Sequence, residues 1–433
     1  MKFFDDCVRR VERAAALTKV DPKLVEELCR GGKVIDLKFP AMTRNGKQYF
    51  EAVRVHQINP HEAGQPHPFK GGWRYADYAS KEEMVDVTKT LALDMTDKIL
   101  LSGLPFAGAK GCVNINPAKF DTDELWSITN ALTVEMLVNN ILDANIDVPG
   151  PDAGTNAEIM KWIYRFYGKL NRCLYRPNAA AVVTGKPVDF DGCPGREDAT
   201  ARGGLIVYSK LVKNKSVPRI AVQGYGNVGR NSCKLISDES FEYAAGKLVA
   251  VSDAFSGLYN PAGIDYASLD KYYSENKIFK GCKLGDEIPP EKIIEAGEYD
   301  LFITAAKEGL VNKANAHLLN ATCVLELGNS AVTDDADEIL GNRNILVIPD
   351  ILCNSGGVIV SSFEWRKNRG DILHEVDING AVQWVHEELE KILVRAIKNV
   401  LKTQEKYKKT SLRLAAKIFA LNELDHMIKR KNA

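Results

Sequence analysis

The chain has no surplus of either charge: across 433 residues, 57 Lys and Arg balance 57 Asp and Glu. A nucleic acid or an anionic membrane as the main partner would call for a basic excess, so neither is expected. No run of about twenty apolar residues is present, which argues against a membrane-spanning helix. The amino terminus turns acidic at Asp5 and Asp6, where a secretion signal would need an apolar stretch. Nine cysteines contain no Cys-x-x-Cys pair, so they read as reduced thiols in a cytoplasmic protein. His56, His61 and His67 lack zinc-like spacing, and no metal is expected. Internal repeats and low-complexity segments are also missing.

The length is more than one ordinary core accommodates and points to two domains of roughly 150 to 250 residues. In the first part, Lys33 to Phe39 and Tyr49 to His56 alternate apolar and polar residues as half-buried strands do. Asp121 with Glu124 reads as a capping box opening a helix that runs through Leu137, and Thr155 with Glu158 as a second one. Asp152 then falls on a loop stiffened by Pro149 and Pro151, three residues before a helix start.

From Arg219 the pattern becomes apolar strand, glycine turn, helix, strand. Further short apolar strands begin at Leu301, Cys323 and Ile345. Such alternation indicates a parallel sheet with helices on both faces. After Trp365 the chain is largely helical, ending in a basic amphipathic helix from Leu412 to Lys431 whose charges read as a solvated face.

Gly224-Tyr-Gly-Asn-Val-Gly229 follows a strand, opens a helix and precedes an acidic residue, Asp253, at the end of the next strand. That context marks a dinucleotide site. Gly224 permits the tight turn, Gly226 lets the backbone approach a pyrophosphate, and Gly229 allows close helix packing, with Tyr225, Asn227 and Val228 completing the turn. Asp253 points to NAD over NADP, because a carboxylate repels a 2′-phosphate. Ser252 beside it could instead accept a phosphate, so NADP stays open.

Lys70, Lys98 and Lys110 sit among glycines and apolar residues rather than on a charged face. Buried ammonium groups call for an anionic partner. Pro68-Phe-Lys-Gly-Gly-Trp-Arg74, Leu104-Pro-Phe-Ala-Gly-Ala-Lys-Gly111, Asp147-Val-Pro-Gly-Pro-Asp152, Thr184-Gly-Lys-Pro187, Gly195-Arg-Glu-Asp-Ala-Thr200, the glycine turn and Pro349-Asp-Ile-Leu-Cys-Asn-Ser-Gly-Gly-Val358 together resemble, in order, the signatures of the glutamate, leucine, phenylalanine and valine dehydrogenase family, and of its glutamate dehydrogenases in particular.

The resemblance implies an α/β fold of two domains, an α/β substrate and oligomerisation domain at 1–187 plus 403–433 and a Rossmann-like doubly wound domain at 188–402, with catalysis in the cleft between them. It implies reversible oxidative deamination of L-glutamate to 2-oxoglutarate and ammonium with NAD(P)+, by a cytoplasmic homohexamer. It assigns Lys70 with Ser361 to the side-chain carboxylate, Lys98 to the α-carboxylate, Lys110 to activation of water and Asp152 to proton transfer. Gly71, Gly72 and Val358 line the substrate, and Thr200 and Asn354 contact the nicotinamide end.

The chemistry asks for the same residue types. A dicarboxylate needs two cationic anchors, and a lysine whose pKa is lowered by burial and nearby cations can act as a base at neutral pH. Asp152, on a loop lined with apolar residues, is expected to reach both its charged and its neutral form. Relatives acting on aliphatic or aromatic amino acids replace the lysine matching Lys70, so its retention points to glutamate. Three departures stand against the family pattern: Ala107, Tyr75-Ala-Asp77, and Glu326-Leu-Gly-Asn-Ser-Ala331, where Glu-Gly-Ala-Asn-Gly-Pro is usual. The alternatives are the same reaction on another amino acid, or a catalytically weak regulatory relative.

Overall fold

A computed structural model describes residues 3–61, 67–174, 178–213, 216–243, 246–372, 378–408 and 410–431. They form two compact units, Met1–Arg196 with Val358–Val385 and Lys417–Ala433, and Glu197–Gly357 with His386–Ala416. Among the described residues no helix is long and apolar enough to cross a membrane, and none of their His, Cys, Asp and Glu side chains form a group of three or more suited to a metal.

The first unit is built on a mixed five-stranded sheet of β1 (Lys33–Thr43), β2 (Gly46–His56), β3 (Phe69–Ala76), β4 (Ala107–Asn114) and β5 (Asp147–Pro151), in the order β1-β2-β4-β3-β5. β1 and β2 pair antiparallel, β2 meets β4 antiparallel, and β3 runs parallel to both β4 and β5. Period-two alternation in β1 buries Leu37, Phe39 and Ala41 while their neighbours stay exposed. These side chains join Ile128 and Leu132 of the helix Thr122–Val138 and Ile159 and Ile163 of the helix Ala157–Leu174 in one core. Val53, Val55 and Cys112 lie in a second core with Met84 and Ala92 of the helix Lys81–Ser102. Full burial of each large aliphatic side chain stabilises the unit by roughly 1.5–3 kcal/mol.

Two local expectations change. Asp121 and Glu124 do form a capping box, but Thr155 does not cap the following helix. Its hydroxyl is bonded to the Trp73 carbonyl and the Asp152 amide, and Asn156 accepts the Ile159 N–H in its place. The segment Asp147–Pro151 is a strand rather than a loop, with Gly71 opposite Pro149 and Trp73 opposite Pro151. Its prolines are tolerated because β5 is the sheet's edge, where a missing N–H breaks no ladder.

The second unit has a seven-stranded sheet ordered β12-β11-β10-β6-β7-β8-β9. Strands β6 (Arg219–Gln223), β7 (Lys247–Ser252), β10 (Tyr299–Thr304), β11 (Ala321–Glu326) and β12 (Leu346–Ile348) are parallel. β8 (Gly257–Tyr259) and β9 (Asp286–Ile288) extend one edge antiparallel. Near-continuous apolar strands such as Ile220–Val222 and Leu301–Ile303 are fully buried, as a sheet covered on both faces requires.

The sequence-based division keeps residues 358–385 with the dinucleotide domain. In the structure that segment packs in the first unit, where Trp365 Nε1 donates to the Ala144 carbonyl at 2.9 Å and Glu364 pairs with Lys186 at 2.6 Å.

Candidate active site

In the first unit, parallel strands β3 and β4 carry Lys70 and Lys110, and the helix packed beside β4 carries Lys98. All three lysines are buried, at 2, 4 and 6 % exposure for Lys70, Lys110 and Lys98. Gly71 makes the close pairing of β3 and β4 possible. A Cβ there would stand 1.6 Å from the Ala109 carbonyl oxygen, so no other residue fits.

Lys70 Nζ donates to Thr184 Oγ1 at 2.7 Å, and that hydroxyl lies 2.6 Å from Ser361 Oγ. Thr184 is held by its neighbours: the Gly185 amide and the Lys186 ammonium both donate to Glu364. Thr184 is the only hydrogen-bond partner of Lys70 among the described residues. Burial pushes the Lys70 ammonium down to about 7; Glu364 and Asp147 pull it up, while Arg196 and Arg54 push it further down. Val358 is buried in the same unit.

Asp152 follows the end of β5 and is clamped by two cations. Lys110 Nζ is 2.9 Å from Oδ1, and Arg74 Nε donates to Oδ2 at 2.7 Å. Burial raises the Asp152 pKa, but Lys110 and Arg74 outweigh it and hold the carboxyl well below its usual range. The expectation that the neutral acid is accessible therefore fails for the ligand-free protein: the apolar loop walls matter less than the paired cations. Burial also pushes Lys110 below its ordinary value; Asp152 opposes that shift, while Arg74 and Lys98 add to it.

Behind Lys70 the sheet carries a further buried ion pair. The Arg54 guanidinium reaches both Asp147 oxygens, at 2.8 and 2.5 Å, and donates to the carbonyls of Gly71 and Gly72. His56 Nε2 shares Asp147 at 2.6 Å.

The second unit holds the glycine turn. Gly224 has φ 101°, in the left-handed region, and a Cβ on Gly229 would be 1.8 Å from the Gly224 carbonyl. Above Gly226, the N-cap of the helix Asn227–Ile236, a Cβ would meet nothing within 4 Å. That space in front of free helix amides fits a pyrophosphate. The Tyr225 side chain is taken up elsewhere, packed edge-on against Tyr273 and Phe279 with its hydroxyl on Asp270, so only its backbone borders the turn. Asn227 is exposed and Val228 half-buried.

Asp253 accepts the amides of Phe255, Ser256 and Phe279 at 2.7, 2.8 and 2.5 Å. Ser252 is fully buried and is not available to a phosphate. Thr200 lies in the first turn of the helix Ala199–Leu211. Asn354 Nδ2 donates to the Leu327 carbonyl at 3.2 Å and to Asn329 Oδ1 at 3.0 Å. Its buried Oδ1 has no hydrogen-bond partner among the described residues, which leaves an acceptor suited to the amide or hydroxyl of a bound dinucleotide.

A family model described as Glutamate/Leucine/Phenylalanine/Valine dehydrogenase matches residues 192–431, and one described as Glu/Leu/Phe/Val dehydrogenase, dimerisation domain, matches residues 32–169. The chain belongs to this family. It is a dehydrogenase, and the family's cofactor is a nicotinamide dinucleotide, NAD or NADP.

A glutamate dehydrogenase of Thermotoga maritima is 36% identical over 434 residues, covering 99% of this chain and 98% of that protein. The glutamate dehydrogenase of Peptoniphilus asaccharolyticus is 30% identical with a TM-score of 0.78, covering 100% of this chain and 99% of that one. The hetero-hexameric glutamate dehydrogenase from Thermus thermophilus, in a Leu-bound form, is 26% identical with a TM-score of 0.87, covering 100% and 97%.

For a Glu/Leu/Phe/Val dehydrogenase, several residues around the site carry no role in the sequence reading. Arg74 was legible in principle, because strand period two places it on the same face of β3 as Lys70 and Gly72. Thr184 opens the Thr184-Gly-Lys-Pro187 motif, which by itself points to no role. The pairing of Arg54 with Asp147 leaves no trace in the sequence, since they lie 93 residues apart and meet only through sheet pairing.

Proposed function

We propose that the chain catalyses the reversible oxidative deamination of L-glutamate to 2-oxoglutarate and ammonium. Lys70 carries this reading. A buried ammonium with one neutral hydroxyl for a partner is poorly compensated, and a side-chain carboxylate would complete it. An aliphatic side chain would leave it uncompensated and lose several kcal/mol of binding.

Ser361, reaching the same Thr184 hydroxyl, would share the side-chain carboxylate, with Gly71, Gly72 and Val358 as walls and Lys98 holding the α-carboxylate. Bound NAD(P)+ would supply the hydride acceptor for the substrate Cα. Asp152, ionised between Lys110 and Arg74, would take a proton from the substrate ammonium and return it later. Once that proton neutralises Asp152, Lys110 loses its counter-ion and burial favours its neutral amine, its own proton passing to solvent; that amine would remove a proton from the water that attacks the resulting iminium carbon. The Gly224–Gly229 turn, Thr200, Asp253 and Asn354 would hold the dinucleotide. NAD is favoured, because the carboxylate of Asp253 directly follows β7, Ser252 is buried and no arginine occurs between residues 253 and 260.

Met42, Tyr49, Trp126 and Val138 are exposed on β1, β2 and the helix beside them. Such an apolar surface fits contact with further copies of the chain, in a homohexamer, with the cytoplasm as its compartment.

The test is a set of initial rates at 340 nm with glutamate, leucine, phenylalanine and valine, each with NAD+ and NADP+. Glutamate with NAD+ is expected to be fastest. A preference for leucine would overturn the substrate assignment, and a preference for NADP+ the cofactor assignment.

A further inference from the structure

The segment Glu326–Ala331, where the chain departs from the family pattern, borders a buried charge cluster whose cation, among the described residues, comes from far along the chain. Arg413, 5% exposed, donates through Nη2 to Glu326 Oε2 at 2.5 Å. Its Nη1 is 3.5 Å from Asp350 Oδ1 and its Nε 3.5 Å from Asp337 Oδ1. One guanidinium thus faces carboxylates from the end of β11, the helix Asp334–Asn342 and the short helix Asp350–Cys353.

Those carboxylates shape a turn. Glu326 Oε1 accepts the Val332 amide at 2.7 Å, Glu326 Oε2 the Asp350 amide at 3.2 Å, and Asp350 Oδ2 the Ser330 amide at 2.8 Å. Ser330 has φ 45°, a left-handed conformation that a serine adopts at a cost. The serine therefore depends on the hydrogen bond its amide donates to Asp350 more than a glycine would. The turn in between presents the Leu327 carbonyl and Asn329 Oδ1 to the Asn354 amide, and so fixes the direction of the unpartnered Asn354 Oδ1.

We propose that Arg413 is a positioning residue for the dinucleotide: by neutralising Glu326 and Asp350 it holds the 327–331 turn, and through that turn the Asn354 amide. The inference rests on the reading above that Asn354 meets the nicotinamide end. Burial, opposed by Arg413 and reinforced by Asp350, pushes Glu326 up to about 7. Removing the guanidinium would leave Glu326, Asp350 and Asp337 facing one another, with mutual repulsion that grows as pH rises.

The experiment measures KM for NAD+ and for glutamate, pH dependence from 6 to 9, and Tm in the full-length protein and its Arg413→Gln, Arg413→Lys and Asn354→Ala variants. Arg413→Gln is expected to raise the dinucleotide KM roughly five- to tenfold, the scale of one lost hydrogen bond, with the glutamate KM little changed. The loss should deepen with pH, and Arg413→Lys should fall between wild type and Arg413→Gln. If the glutamine variant does not fold, the lysine variant alone must still show a raised dinucleotide KM, since an ammonium cannot span three carboxylates. A dinucleotide KM unchanged in the folded variants, or both KM values moving together with Tm, would overturn the proposal. An unchanged dinucleotide KM in Asn354→Ala would instead remove the reading of Asn354; a raised one alongside silent Arg413 variants would remove only the role of Arg413.

Discussion

Buried Lys110 and half-buried Asp152 meet at 2.9 Å, and Arg74 holds the other carboxylate oxygen at 2.7 Å. The carboxylate is thereby kept ionised and aimed, with Thr155 bonded to its backbone amide. A base held between two cations can accept a proton only when a substrate ammonium displaces or competes with one of them.

Asp152→Asn should therefore lower kcat by at least about 10³-fold, because the amide keeps the shape and loses the basic oxygen. It also removes the carboxylate charge facing buried Lys110 and half-buried Arg74, a loss of stability with an upper bound of about 3–5 kcal/mol. Rates should accordingly be normalised to folded protein by circular dichroism. Dinucleotide affinity, read by NADH fluorescence, should be unchanged; near-normal turnover would refute the role given to Asp152.

The Lys70 pKa gives stability a pH slope in the ligand-free protein. Its folded value, about 7, lies below the ordinary 10.5, so between those limits the unfolded chain binds more protons than the folded one. Stability should then rise with pH across that window, and below about 7 the full cost of burying the charged ammonium applies. Lys70→Met should remove this contribution and stabilise the protein at pH 7 by a few kcal/mol, as urea melts at pH 7 and pH 9 would show. A variant less stable than wild type at pH 7 would mean that the ammonium is compensated without substrate.

The strand, glycine turn and helix of residues 219–236 are legible because local chemistry dictates them: an apolar run, a left-handed glycine and a glycine under helix contact. The lysines are legible only as a set, since each alone reads as a surface residue. What stays hidden is pairing across the sheet and between distant segments. Arg54 finds Asp147 across 93 residues and Arg413 finds Glu326 across 87, and neither pair leaves a periodicity or spacing to read. Asp147–Pro151 misleads for a related reason: two prolines signal a loop unless the strand lies at an edge, and the edge is a property of the assembled sheet.

Binding of a dicarboxylate should draw a proton onto Lys70. A carboxylate beside the ammonium raises its pKa, so above about pH 7 association includes proton uptake and weakens as pH rises. Calorimetric titration with 2-oxoglutarate at pH 8, in buffers of different ionisation enthalpy, should show net uptake in the wild type and less in Lys70→Met. Equal uptake in both would assign the proton to another group.

Asp147→Asn tests whether the ion pair behind the site supports it. Arg54 is 1% exposed and Asp147 fully buried, so the amide leaves a guanidinium in the core with a weaker partner and costs about 3–5 kcal/mol. Arg54 also donates to the carbonyls of Gly71 and Gly72, the residues that follow Lys70 on β3. A shift of that backbone would move the ammonium relative to Thr184. At a temperature where the variant remains folded, the glutamate KM should therefore rise several-fold while the KM for the dinucleotide, whose proposed site is the Gly224–Gly229 turn, stays near wild type. Paired unfolding curves and two-substrate kinetics read both effects. Lost stability with an unchanged glutamate KM would make Arg54 and Asp147 a scaffold for the sheet alone.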